Sequence, residues 1–354
     1  MNKYLLAWMF LQLPVLAHAG TPAATGAVAP LSDAERYAKR CQSQSAHRIA
    51  KPQGTMLWGT KRSWDTEKLA PELSSVLVSA ALEPLRQADG DVKALKIEGG
   101  RLVAVPSAAK SIVGTVLQGT DSAGKPVEVS ICGAEPSHED PGMVWYRIEA
   151  WNAVAQEWEN PCVALNNVPD PRALAVSSLW DESGASKAVP GRFTFACENG
   201  AITKCVRWGY KPWASRDGQP LADLHQACTR MARADYCGNG RSHTHQDTTI
   251  DMYDRLGMLT RTHEASAEWD PARASFEAAW GPDGATCLAR TRDGRALATV
   301  LQECPNRFRT NMAVELGEGD RCTTRRVDVS PGAALLRNHS YGASTGGVSQ
   351  GEGP

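Results

Sequence analysis

Ten cysteines, at positions 41, 132, 162, 197, 205, 228, 237, 287, 304 and 322, constrain this chain more than any other feature of its sequence. An even number of cysteines in an oxidising compartment resolves by default into disulfides, here up to five, and those cross-links then dictate which segments can lie together. Metal knuckles are the competing use, but they need cysteines roughly two to four residues apart. The closest pairs here have seven and eight residues between them.

The compartment follows from the first residues. Lys3 precedes an apolar run from Leu5 to Leu16 (LLAWMFLQLPVL), and small residues Ala17 and Ala19 flank His18. That order is the order of a cleavable secretory signal, and it predicts cleavage between Ala19 and Gly20 and a periplasmic or extracellular mature chain. The run is shorter than the ~20 residues that cross a bilayer, and it contains Gln12 and Pro14, so it is not expected to be an anchor. Cys41 lies far beyond the predicted cleavage point, so no lipid anchor is expected on a new N-terminal cysteine, and no second long apolar run suggests a membrane span. Lys and Arg total 38 against 39 Asp and Glu, for a net charge of −1. A nucleic-acid partner would call for a surplus of cations, and none is present.

Local signals divide the chain. Residues 20–30 (GTPAATGAVAP) read as a linker. Residues 31–110 form an N-terminal segment of open fold: Ser32 and Glu35 match a capping box and predict a short helix to Arg40, while Met56 to Arg86 suits strand or helix equally. Gly99-Gly100 predicts a hairpin between LKI and LVAV. Residues 111–190 read as β-rich, with IVGTVL, the turn DSAGK, VEVSI and the alternation of Val144, Tyr146 and Ile148. Residues 191–325 read as a disulfide-bonded hairpin-helix-hairpin unit. In it FTFAC and AITKCVRWGY pair around ENG, a helix opens at Pro220 and carries the stripe Leu221, Leu224, Cys228 and Met231, and FEAAW pairs with ATCLART around GPDG. ALATVLQE is a further short helix closed by Pro305, and residues 331–354 read as a disordered tail. The fold class expected is α+β, mainly antiparallel β with few helices and rich in disulfides.

The first hairpin limits the bridges. With a two-residue loop Cys197 and Cys205 fall on opposite faces; with a three-residue loop they share a face but stand roughly 13 Å apart, beyond the ~7 Å reach of a disulfide. They should not bond to each other, and Cys228 or Cys237 should supply at least one partner. Cys132 with Cys162 is the pairing expected in the β half.

The strings FTFACENGAITKCVRWGYKPW and HQACTRMARADYCGNGRSHT resemble the ADYC domain of exported bacterial proteins, named for the tetrapeptide that stands here as Ala234-Asp235-Tyr236-Cys237. The resemblance extends back to about Ile112 (GTVLQGT, WYRIEAW, EWENPC) and on through FEAAWGPDGATC and ECP. It implies a bacterial source and an exported setting, and no particular reaction.

Four groups of residues invite a functional reading. His243, His245 and Asp247 alternate, with Asp251 and Asp254 nearby, and on an extended segment they could hold a divalent ion; a polar loop is the plainer account. His225 has Arg230, Arg233 and Asp235 close behind it, as a general acid-base pair with Asp235 would, or as a packed helix histidine would. Trp208, Tyr210 and Trp213 could form an aromatic platform for a glycan, or fill core. Gly342 to Gly346 (GASTG) matches a nucleophile elbow literally, but without the strand and helix that such an elbow needs. The leading expectation is a non-catalytic binding or interaction protein with no cofactor, whose partner is an unknown protein or a glycan. The alternatives are a secreted hydrolase using His225 or a His243/His245/Asp247 metal site, and glycan binding through Trp208 and Trp213.

Overall fold

A computed structural model describes residues 30–43, 46–48, 55–60, 75–88, 90–108, 111–165, 167–244 and 248–341. The expected signal, nearly all of the linker, His245, Asp247 and the GASTG string lie outside the described residues.

Helix α1 (Asp33–Ala38) forms where the capping box predicts it: Ser32 and Glu35 satisfy each other's backbone amides. The following strands are β1 (Ala46–Arg48), β2 (Leu77–Gln87), β3 (Ala94–Glu98), β4 (Arg101–Val105), β5 (Val116–Asp121), β6 (Pro126–Pro136), β7 (Val144–Asn152), β8 (Glu157–Ala164) and β9 (Ala173–Val176). A two-residue ladder, β10 (Leu179–Trp180) with β11 (Ser186–Lys187), precedes β12 (Arg192–Cys197). Strands β7, β6, β5, β2, β12 and β9 are joined in that order, and β9 returns to β7 through Tyr146 and Ala173, closing a six-stranded barrel. Strand β8 flanks β7, and β1 runs parallel to β8.

Alternation explains the closure. Phe193, Phe195 and Cys197 of β12, Ala173 and Ala175 of β9, Val129 and Ile131 of β6, and Tyr146 and Ile148 of β7 share one apolar cluster inside the ring, with Leu77, Ala80 and Leu117. Full burial of a side chain such as Phe193 contributes roughly 1.5–3 kcal/mol. The β3–β4 hairpin turns at Gly99-Gly100 as its sequence predicts, with Glu98 opposite Arg101, and its Leu95 and Leu102 pack on the same cluster. The intervening residues Leu174, Val176 and Ala196 point outward into a second cluster with Trp58, Trp145, Trp180, Ile202 and Val206.

After β12 the chain forms helix α2 (Ala201–Arg207), the short ladder β13 (Ser215–Arg216) with β14 (Gln219–Pro220), and helix α3 (Ala222–Arg233). A six-stranded sheet follows, in the order β15 (Ile250–Asp254), β22 (Leu336–Tyr341), β16 (Ala274–Gly281), β17 (Gly284–Leu288), β21 (Thr324–Arg326) and β18 (Phe308–Arg309). Helix α4 (Leu297–Glu303) and the ladder β19 (Val314–Glu315) with β20 (Arg321–Cys322) lie between its strands in sequence. Helix α3 packs on β16, β17 and β22, burying Leu224, Cys228 and Met231 as its stripe predicts. The β16–β17 hairpin forms around GPDG as expected.

The structure corrects four expectations. AITKCVR is a helix, not the second arm of a hairpin: Gly200 is its N-cap, and the Thr203 hydroxyl donates to the Ala196 carbonyl at 2.7 Å, turning the chain back onto β12. Gly200 is needed there because a Cβ would sit 2.7 Å from the Trp58 carbonyl carbon, where two segments cross. Pro220 belongs to the β13–β14 ladder, and the helix begins two residues later. Residues 331–354 are not wholly a tail, because Leu336–Tyr341 is an inner strand of the second sheet. Cys132 does not bond Cys162, because β7 lies between their strands and sets them roughly 10 Å apart. The bridges are Cys41–Cys132, Cys162–Cys197, Cys205–Cys228, Cys237–Cys304 and Cys287–Cys322. Cys197 and Cys205 therefore remain apart, and Cys228 does reach Cys205, but through helix pairing rather than hairpin geometry.

Candidate functional site

The tetrapeptide Ala234-Asp235-Tyr236-Cys237 ends helix α3, and each residue has a separate structural task. Ala234 adopts the left-handed conformation, with φ of 50°, and breaks the helix. Asp235 is sealed from solvent and accepts hydrogen bonds from Arg230 and from the backbone amides of Asn239 and Gly240. Tyr236 stacks on Trp280; its hydroxyl donates to Glu277 at 3.1 Å and accepts the Arg292 amide at 2.7 Å. Cys237 bonds Cys304 just beyond α4. Glu277 is itself buried: burial opposes its ionisation, but Arg292, Ser340 and Asn338 outweigh this and hold its carboxyl below the usual range.

The candidate catalytic residues take part in this packing. His225 is 1% exposed, lies edge-on to Trp180, and hydrogen-bonds the Ile202 carbonyl through Nε2. Burial pushes its pKa down to about 4, and that hydrogen bond opposes the shift only in part. Asp235 lies in the network described above and has no contact with His225 among its hydrogen bonds. His243 directs Nδ1 to the Ala234 carbonyl at 3.0 Å and Nε2 to Glu303 at 2.9 Å, so both ring nitrogens are occupied. Asp251 holds Thr262, and Asp254 accepts from Tyr210 and from the turn amides of Leu256 and Leu259.

The aromatic trio does not form a single platform. Tyr210 is fully buried, and burial beside Asp254 pushes its hydroxyl pKa upward. Trp213 covers the Gly99-Gly100 turn so closely that a Cβ on Gly100 would stand 2.5 Å from its ring. Trp208 remains half-buried and lines an open cleft of about 420 Å³.

That cleft is the candidate site. Helix α2 supplies Lys204 and Arg207 and its C-cap Trp208, the loops of the barrel supply Glu139 and Asn167, and Thr55, Ala232, Thr244, Thr248, Ile250 and Arg292 complete the wall. Arg207 pairs with Glu139 at 3.1 Å. Lys204, Arg207 and Trp208 share one helix face at spacings of three and four. That spacing is in the sequence but becomes visible only when AITKCVR is read as a helix. Of the expected ligand row only His243 is described, and it turns away into the core.

A barrel and a second sheet joined by helices and crossed by five disulfides, with an open polar cleft at Trp208, define a disulfide-rich protein built mostly from antiparallel β structure. The ADYC domain model matches residues 109–294, more than half of the chain, and the chain belongs to the ADYC domain family. Comparisons with curated proteins and with solved structures give no match. Among the described residues, no helix is long and apolar enough to cross a membrane.

Proposed function

We propose that this chain is an exported, non-catalytic binding protein that takes a glycan in the cleft at Trp208. Trp208 carries the reading: its indole, packed in part against the core, lines the cleft where an aromatic ring can meet a sugar, and the surrounding Asn167, Thr55 and Arg207 offer polar groups of the kind that orient hydroxyls. Five disulfides support an oxidising, exported setting. A hydrolase reading would draw on His225 or His243, and both rings are engaged in buried structural hydrogen bonds. The test is a glycan-array screen followed by titration calorimetry on the full chain and on Trp208→Ala. Binding that falls at least about ten-fold in the variant, at an unchanged melting temperature, supports the proposal. A blank array, or equal affinity in both proteins, rejects it.

A further inference from the structure

Four of the five disulfides include at least one cysteine with essentially no exposure: Cys162–Cys197, Cys205–Cys228 and Cys287–Cys322 are buried at both ends, and Cys237 is buried beside half-buried Cys304. Cys41 and Cys132 are both half-buried. Their surroundings differ from the others in three further respects. Cys132 is the extra residue of a β-bulge in β6, falling between Ile131 opposite Ile148 and Gly133 opposite Arg147, and bulges re-aim side chains next to working sites. Cys41 sits at φ of 63°, a left-handed conformation that a non-glycine residue rarely holds. Glu149 of β7 is 1% exposed, and one of its carboxylate oxygens lies within 4.8 Å of both sulfurs.

Glu149 accepts the Cys41 amide at 2.6 Å and the Ser43 amide at 3.0 Å, and Ser130 touches the Cys41 sulfur at 3.4 Å. Burial pushes the Glu149 pKa upward, against those two hydrogen bonds and the charge of Arg147. A buried carboxyl is costly, and the Cys41 and Ser43 amides offset part of that cost while holding the group within reach of both sulfurs. Beside a bond that opens, it has a use.

We propose that Cys41–Cys132 is a dithiol–disulfide exchange site in which Glu149 gives a proton to the departing sulfur and recovers it when the bond re-forms. A thiolate of an external dithiol attacks one of the two sulfurs. A mixed disulfide forms, and the Cys41–Cys132 bond breaks, leaving its electron pair on the other sulfur. That thiolate takes the Glu149 proton directly or through one water. The second thiol of the dithiol loses its proton to the Glu149 carboxylate and attacks the mixed disulfide. The first cysteine leaves as a thiolate and takes up the proton shed when the external thiolate formed. The external dithiol becomes a disulfide and the protein gains two thiols, a transfer of two electrons and two protons. The N-terminal segment stays attached in the reduced state, because Arg36 pairs with Glu128, Trp158 holds the Arg36 carbonyl, and Arg40 holds the Gly114 carbonyl.

The full oxidised chain, treated with dithiothreitol under native conditions and quenched with an alkylating agent, tests this by peptide mapping. Labelling of Cys41 and Cys132 roughly ten-fold faster than any of the other eight cysteines supports the exchange site. Simultaneous reduction of all bridges, or another pair opening first, overturns it. The proton-transfer role is read separately, from the pH profile of reduction in wild type and Glu149→Gln. A several-fold slower reaction without the carboxyl titration supports it, and an unchanged profile overturns it.

Discussion

Arg230 meets Asp235 at 2.6 Å with its side chain 3% exposed and that of Asp235 completely enclosed. The pair lies at the end of α3, and Arg230 also donates to the carbonyls of Ser183 and Pro282, so the aspartate of the family tetrapeptide tethers the helix end to two other loops. Removing one partner strands a buried charge. Asp235→Ala is expected to lower the unfolding free energy by about 3–5 kcal/mol, and a double replacement of Arg230 and Asp235 by apolar residues by less than the sum of the single changes. Urea denaturation of the three variants checks this.

His225 makes stability depend on pH. Its folded pKa of about 4 lies below the unfolded value of 6.5, so between those values the unfolded chain binds more protons. The full contribution is present above pH 6.5 and is lost as the pH falls towards 4, reaching about 3 kcal/mol at the lower limit. Denaturation at pH 7.5 and 4.5 should show a steeper acid loss in wild type than in His225→Gln, which retains a donor for the Ile202 carbonyl.

Non-reducing peptide mapping should recover Cys162 with Cys197 and Cys205 with Cys228. Replacing both cysteines of the second pair by alanine is expected to cost about 2–4 kcal/mol, read as a lowered denaturation midpoint. A peptide bridging Cys197 to Cys205 would contradict the arrangement of α2.

Export predicts that the mature protein begins at Gly20, because Ala17 and Ala19 suit signal peptidase. N-terminal sequencing of protein recovered outside the cytoplasm checks this, and an intact Met1 on such material would refute it.

Local chemistry was the most readable part of the chain. Gly99-Gly100, the GPDG turn and the Ser32–Glu35 box each depend on a few adjacent residues, and each appears where it was expected. AITKCVR misleads because its β-branched residues favour a strand on propensity, while packing of Ile202 and Val206 against the barrel's outer cluster makes it a helix. The cleft is illegible in the sequence for the same reason, since Lys204, Arg207 and Trp208 come together only on a helix. Strand β22 was hidden for another reason. Its buried residues Asn338, His339 and Ser340 are polar and are satisfied by Glu277 and Asp320, so no apolar alternation marks it.

Strand β22 lies between β15 and β16, yet it follows both in the chain. A polypeptide that emerges N-terminus first therefore makes two strands that cannot join until residues 336–341 arrive to fill the space between them. Until then two facing edges remain unpaired, the condition in which a nascent chain is most open to foreign strands and most in need of a chaperone. Assembly of the second sheet is thus timed by its last described strand, and any stall in synthesis upstream of residue 336 leaves that sheet in two pieces.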